Sequence, residues 1–114
     1  MFVKVNLASN YSVGTIVSFD PNQNAWSSST GQDYFGVIVR DPINVDGVWL
    51  ARVTFSGSCY ALSAGNIPDE GGHFKVENGL VVATTDNNYN GVIAPNAYNS
   101  PSRIAGDLIL VSIK

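Results

Sequence analysis

The pair Asn78-Gly79 constrains this chain more than any other two residues. Asn and Gly best tolerate positive φ at both centres of a two-residue hairpin turn, and the sequence on either side reads as strand. Phe74-Lys75-Val76-Glu77 precedes the turn and Leu80-Val81-Val82-Ala83 follows it. A two-residue turn sets Glu77 opposite Leu80, Val76 opposite Val81, Lys75 opposite Val82 and Phe74 opposite Ala83. Phe74, Val76, Val81 and Ala83 then share one face, while Lys75 and Glu77 point the other way. Turn chemistry and alternation agree on one register, which marks a sheet-building chain.

Other stretches follow the same rules. Gly14-Thr15-Ile16-Val17-Ser18-Phe19 reads as a strand closed by the turn Asp20-Pro21-Asn22. Trp26 stands in a short polar stretch before Ser27 to Gly31, expected as loop, and Tyr34 to Val39 resumes as strand. Asp46-Gly47 offers a second hairpin turn ahead of Val48 to Phe55, where Trp49, Ala51, Val53 and Phe55 share one face, Trp49 and Phe55 most simply as core, and Arg52 and Thr54 take the other. A strict turn there pairs Asn44 with Trp49, and that mismatch beside Pro42 predicts an edge strand or a bulge. Ser58 to Leu62 reads as a short strand. Leu108 to Ile113 is apolar on both faces, so a central strand is expected. The Asn, Pro, Ser and Tyr of Ala94 to Ala105 form an exposed loop of the length usually kept for contacts. No window of eleven residues has helical spacing free of Gly or Pro.

The expectation is therefore an all-β fold. It is a compact single-domain β-barrel or sandwich, residues 1–114, of eight to ten short and mostly antiparallel strands with little or no helix. Residues 1–11 read as an N-terminal arm or edge strand. An internal echo stands out: Gly14-Thr15-Ile16-Val17 leads through Asp20 to Tyr34-Phe35-Gly36-Val37-Ile38. Gly79-Leu80-Val81-Val82 leads in the same way through Asp86 to Tyr89-Asn90-Gly91-Val92-Ile93. It is either the ordinary reuse of Gly, Val and Ile in β-proteins or a pseudo-symmetric pair of hairpins in one barrel.

Composition narrows the function. At 114 residues one domain holds a core without disulfides. Charged residues make up 13%, against the ~25% usual in globular domains, so Asn, Ser and Thr supply the polarity. The net charge of −3, with scattered Lys and Arg, argues against a nucleic-acid binder, which needs a concentrated basic stripe. Nothing resembles a membrane span or a secretory signal, so no membrane partner is expected.

No residue set forms a catalytic signature. His73 is the sole histidine and Cys59 the sole cysteine. A Cys-His pair suits a thiol nucleophile, but a surface histidine and a buried structural thiol explain the same residues. Asp69-Glu70 and Asp86-Asn87-Asn88 lack the spacing of a calcium loop, and Gly71-Gly72 lacks the Lys-Ser/Thr pair of a phosphate loop. No enzyme, no metal and no cofactor is expected. Trp26, Tyr34, Tyr89 and Tyr98 lie in or beside polar loops, where an amphipathic ring plugs a barrel end, serves an interface or stacks on a sugar.

Gly14-Thr15-Ile16-Val17 with Asp20, Gly36-Val37-Ile38, Asn78-Gly79-Leu80-Val81-Val82, Gly91-Val92-Ile93 and the closing Gly106-Asp107-Leu108-Ile109-Leu110-Val111 span much of the chain. In this combination the sequence resembles the small β-barrel accessory proteins of tailed-phage virions, particularly head decoration (cement) proteins. The resemblance implies a non-enzymatic virion structural protein, made in the host cytoplasm. Such a protein binds the major capsid or another virion protein as a homo-oligomer, a trimer among the forms expected, and stabilises the shell. Attachment in that family often uses an N-terminal arm. Here Phe2, Val3, Val5 and Leu7 could add a strand to a shell protein, and removing Met1 to Leu7 should leave the barrel folded. The alternative is a carbohydrate-binding or receptor-binding β module that uses Trp26, Tyr34, Tyr89 and Tyr98.

Overall fold

The computed structural model describes residues 1–6, 11–31, 34–95 and 105–114. Among them are ten strands and no helix, an all-β, sandwich-like fold. The first five are β1 (Phe2–Lys4), β2 (Ile16–Asp20), β3 (Ala25–Ser28), β4 (Gly36–Val45) and β5 (Val48–Thr54). The second five are β6 (Gly57–Leu62), β7 (Gly72–Glu77), β8 (Leu80–Thr84), β9 (Gly91–Ile93) and β10 (Leu108–Ile113). They form two sheets, ordered β1-β5-β4-β2-β3 and β6-β10-β9-β7-β8, and every pairing within them is antiparallel.

The second sheet repeats the first with each strand number raised by five. Registers agree as well as order. Gly36 faces Val17 as Gly91 faces Phe74, Ile38 faces Val53 as Ile93 faces Val111, and Val3 faces Ala51 as Ala61 faces Ile109. A parallel bridge joins Val5 to Trp26 in one half and Ser63 to Val81 in the other. Beside it the Asn6 N–H donates to the Trp26 carbonyl at 3.0 Å, and the Ala64 N–H to the Val81 carbonyl at 2.9 Å. Each half thus curls until its first strand meets its third. The Tyr-x-Gly-Val-Ile echo occupies matching places, at the starts of β4 and β9. Its upstream limb needs correcting: the counterpart of Gly14-Thr15-Ile16-Val17 is Gly71-Gly72-His73-Phe74, not Gly79-Leu80-Val81-Val82. Gly14 and Gly71 accordingly both have positive φ, 93° and 81°. Spacing along the chain misassigns the limb because β9 pairs with β7 and β10 rather than with β8.

The Asn78-Gly79 hairpin has the expected register at all four pairs, with φ of 51° and 78° at the turn. Asp46-Gly47 likewise closes a strict turn with Asn44 opposite Trp49. The irregularity falls lower in β4, as register shifts on either side of Arg40. β10 lies between β6 and β9, inside its sheet, as its two apolar faces require. One element was not expected: Ser27 and Ser28, read as loop, belong to β3 and pair with Ser18 and Val17. Most of the loop expected from Ala94 to Ala105 lies outside the described residues.

Two apolar clusters fill the halves. Val3, Val5, Val17, Ile38, Ala51 and Val53 form the first, with Trp49 and Phe55 packed against it. Phe74, Val76, Val81, Ile93, Ile109 and Val111 lie at the centre of the second, which also takes in Ile16, Phe35 and Val37 from the first half. β2 and β4 are therefore buried on both faces where they join, one face inward and one against the second half. Backbone bonds fasten that seam: the Ile16 N–H donates to the Gly79 carbonyl at 2.9 Å, and the Leu62 N–H to the Gly14 carbonyl at 2.9 Å.

The N-terminal strand is an integral edge of the first sheet, paired with β5. Val3 and Val5 are buried in the first cluster, so the expectation that removing Met1 to Leu7 spares the fold is corrected. Taking them out empties part of the core.

Candidate functional site

The described residues hold no group of three or more His, Cys, Asp or Glu able to hold a metal ion. Cys59 and His73 are not brought together. Cys59 faces inward opposite Val111 and is buried, which pushes its thiol up from 9.0 to about 11 and keeps it protonated at neutral pH. His73 belongs to the opposite face of the same sheet, exposed, with its ring stacked on Tyr89 at 3.7 Å. The Lys114 ammonium stands 4.3 Å from the other partner in that stack, the Tyr89 ring. Asp86 is taken up by Lys75 at 2.5 Å, and that bond and charge hold its carboxyl below the usual range.

Two surfaces stand out, both on the first half. One is a group of four rings. Register sets Phe19 directly opposite Trp26 on β2 and β3, with centroids 6.1 Å apart. Trp26 meets Tyr34 at 6.1 Å and Phe55 at 5.5 Å, and Tyr34 stacks on Phe55 at 5.3 Å and 17°. A side chain at Gly36 would lie 3.0 Å from the Phe55 ring, so the glycine gives that ring its place against β4. Tyr34 is 64% exposed and Phe19 47%, while Trp26 and Phe55 are half-buried. The result is an aromatic surface with two wet rings over two anchored ones.

The other surface is the hairpin arm of β4 and β5. β2 accompanies β4 only at Gly36 and Val37, and Gly14 and Thr15 bond Ile38 just beyond; from there to the Asp46-Gly47 turn no strand among the described residues lies on that side. Cross-strand pairs Ile43–Leu50 and Val45–Val48 put four apolar side chains on one face of the ribbon. Ile43, Val45 and Val48 are exposed, and Leu50 is half-buried. The opposite face carries Asn44 and Trp49, and Trp49 packs against the first cluster. The arm is thus anchored on one side and leaves an apolar stripe on the other.

The partner-binding residues expected from sequence separate into three groups. Trp26 and Tyr34 come together in the ring group, which adds Phe19 and Phe55, one unnoticed in sequence and the other expected only as core. Tyr89 lies apart from them, stacked on His73 of the second half. Phe2 is exposed at the edge of the first sheet, whereas Val3 and Val5 are turned into the core; Leu7 and Tyr98 fall outside the described residues. The arm stripe escaped sequence reading because Asp41-Pro42 breaks the alternation that would have revealed it.

Comparisons with protein-family models, curated proteins and solved structures give no match.

Proposed function

We propose that this protein is a non-enzymatic structural protein of a virion, a capsid decoration protein that binds the outer shell and stabilises it. The observation that carries the reading is the arm: a β-ribbon held at its base, with Ile43, Val45 and Val48 bare on one face. Contiguous exposed apolar surface rimmed by polar residues is characteristic of protein contacts. Phe2, exposed beside the base of the same ribbon through its pairing with Arg52, extends that surface. A role in a repeated shell suits such modest contacts, because avidity multiplies them.

The test is co-sedimentation of the full chain with capsid shells of the phage that encodes it. Wild type should pellet with the shells and raise their melting temperature, and Ile43→Asp with Val45→Asp should abolish both effects. Binding unchanged in that double variant would remove the arm from the attachment, and a wild-type chain left in the supernatant would remove the virion role.

A second reading rests on the ring group. Tyr34, exposed and stacked on Phe55 beside Trp26, offers the kind of flat aromatic platform on which sugars stack. It makes the protein a carbohydrate-binding or receptor-binding module, and requires glycan-array binding that Tyr34→Ala removes.

A further inference from the structure

We infer that the arm recognises an acidic protein surface, one in which carboxylates flank an apolar contact. The inference rests on the arm reading above and adds the chemistry of the partner.

The same face of the first sheet that carries the apolar stripe also gathers cations. Phe2 pairs with Arg52, Arg52 with Arg40, and Lys4 with Leu50, so Lys4, Arg40 and Arg52 share the stripe's side of the sheet. Those three are half of the chain's six Lys and Arg, gathered on one face of a protein whose net charge is −3. All three are exposed. Arg40 and Arg52 stand directly opposite each other, a like-charge cross-strand pair that works against the ribbon's own stability. Among the described residues neither has an ion-pair partner. Asp41, next to Arg40 in sequence, accepts the Val13 N–H at 3.2 Å.

Two facing guanidiniums outside any ion pair among the described residues present a double fork for carboxylates, and Arg is the cation suited to bidentate contact at an interface. At the base of the stripe formed by Ile43, Val45, Val48 and Leu50 they set charge beside apolar surface, a combination that suits a protein interface. Three cations on an acidic chain make too small a patch to hold nucleic acid, where binding scales with the number of phosphates neutralised. An anionic bilayer repels the remaining carboxylates and wants a larger basic face. An acidic protein surface fits both the count of charges and the apolar stripe beside them.

The experiment uses the full chain in solution and three probes: an alternating Glu-Leu peptide, its Lys-Leu counterpart, and phosphatidylserine vesicles. Binding is followed by amide chemical shifts over residues 40–52. The Glu-Leu peptide should shift these amides, with affinity falling as salt rises, and the Arg40→Glu/Arg52→Glu variant should lose at least about tenfold while keeping the wild-type circular dichroism. Arg40→Lys/Arg52→Lys should retain part of the binding. No shift with Glu-Leu, equal binding of Lys-Leu, or preference for the vesicles would overturn the inference. Shell sedimentation separates it from the virion reading. Shells that still bind the Arg40→Glu/Arg52→Glu variant leave that role standing and remove the acidic partner. Peptide binding by a chain that ignores shells does the reverse.

Discussion

In the second half of the molecule Val76 and Val81 face each other across β7 and β8 and are fully buried. Phe19 and Trp26 face each other at the corresponding places of β2 and β3, and Phe19 remains nearly half exposed. The strand order is the same and the finish is different. The second half draws on its neighbour: Ile16, Phe35 and Val37 join its cluster, and the Gly79 N–H donates to the Ser29 carbonyl at 2.8 Å across the seam. The first half closes its corresponding end with larger rings instead, and those rings become surface. A repeated topology fixes where strands go without fixing which residues fill them, because the volume to be filled depends on what lies against each copy. That asymmetry puts both candidate surfaces on the first half.

The sharpest break of this comparison is the removal of residues 1–6. It takes Val3 and Val5 from the first interior, each worth about 1.5–3 kcal/mol on full burial, together with a bonded edge strand. Against a total stability of about 5–15 kcal/mol, the expected result is loss of the cooperative thermal transition in far-UV circular dichroism. A truncated chain with the wild-type midpoint would mean that the first interior does not depend on its edge strand.

Corresponding core positions should differ next. Phe74 is the largest fully buried side chain among the described residues, and its counterpart in the first half is Val17. Phe74→Ala should cost about 3–5 kcal/mol in urea unfolding and Val17→Ala about 1.5–3 kcal/mol. Equal losses would show that both interiors tolerate cavities alike. The pair Val76 and Phe19 sharpens the contrast: Val76→Ser should cost about 2–4 kcal/mol through lost burial and a stranded hydroxyl, and Phe19→Ser less than about 1 kcal/mol. A large loss at Phe19 would make the ring group part of the core rather than a surface.

The smallest effect concerns Cys59, whose place in the first half is taken by the exposed Met1. Its folded pKa is raised from 9.0 to about 11, so the folded state keeps a proton that the unfolded state releases first. Its contribution is therefore fully present below pH 9.0 and is lost as pH rises toward about 11. Subtracting the pH–stability curve of Cys59→Ala should isolate that downward slope from the other groups that titrate there. A flat difference would place the thiol in contact with water.

Local chemistry made much of the fold legible. Asn78-Gly79 and Asp46-Gly47 specify their turns through backbone preference, and period two then assigns faces with no knowledge of neighbours. Period two puts Trp49, Ala51, Val53 and Phe55 on one face, and that face is the one that meets the first cluster. β3 was not legible, since Ser27 and Ser28 have little strand preference and become strand only because β2 offers them a free edge. For the candidate site the balance reverses: Trp26 and Tyr34 were singled out for their polar surroundings, but Phe19 joins them only through cross-strand register. Arg40 and Arg52, twelve residues apart in the chain, become a facing pair only through the bulged register of β4.

The sequence by itself determined the all-β class, the two tight turns and the central place of β10. These depend on φ preferences and alternation within a few residues. Tertiary structure decided that the N-terminal stretch is an edge strand with Val3 and Val5 in the core rather than a free arm, and that the Tyr-x-Gly-Val-Ile echo marks two sheets of one strand order. It also decided that an apolar, cationic face forms on an acidic chain. Each of these depends on which distant strand supplies the neighbour, a choice made by packing volume and sheet register.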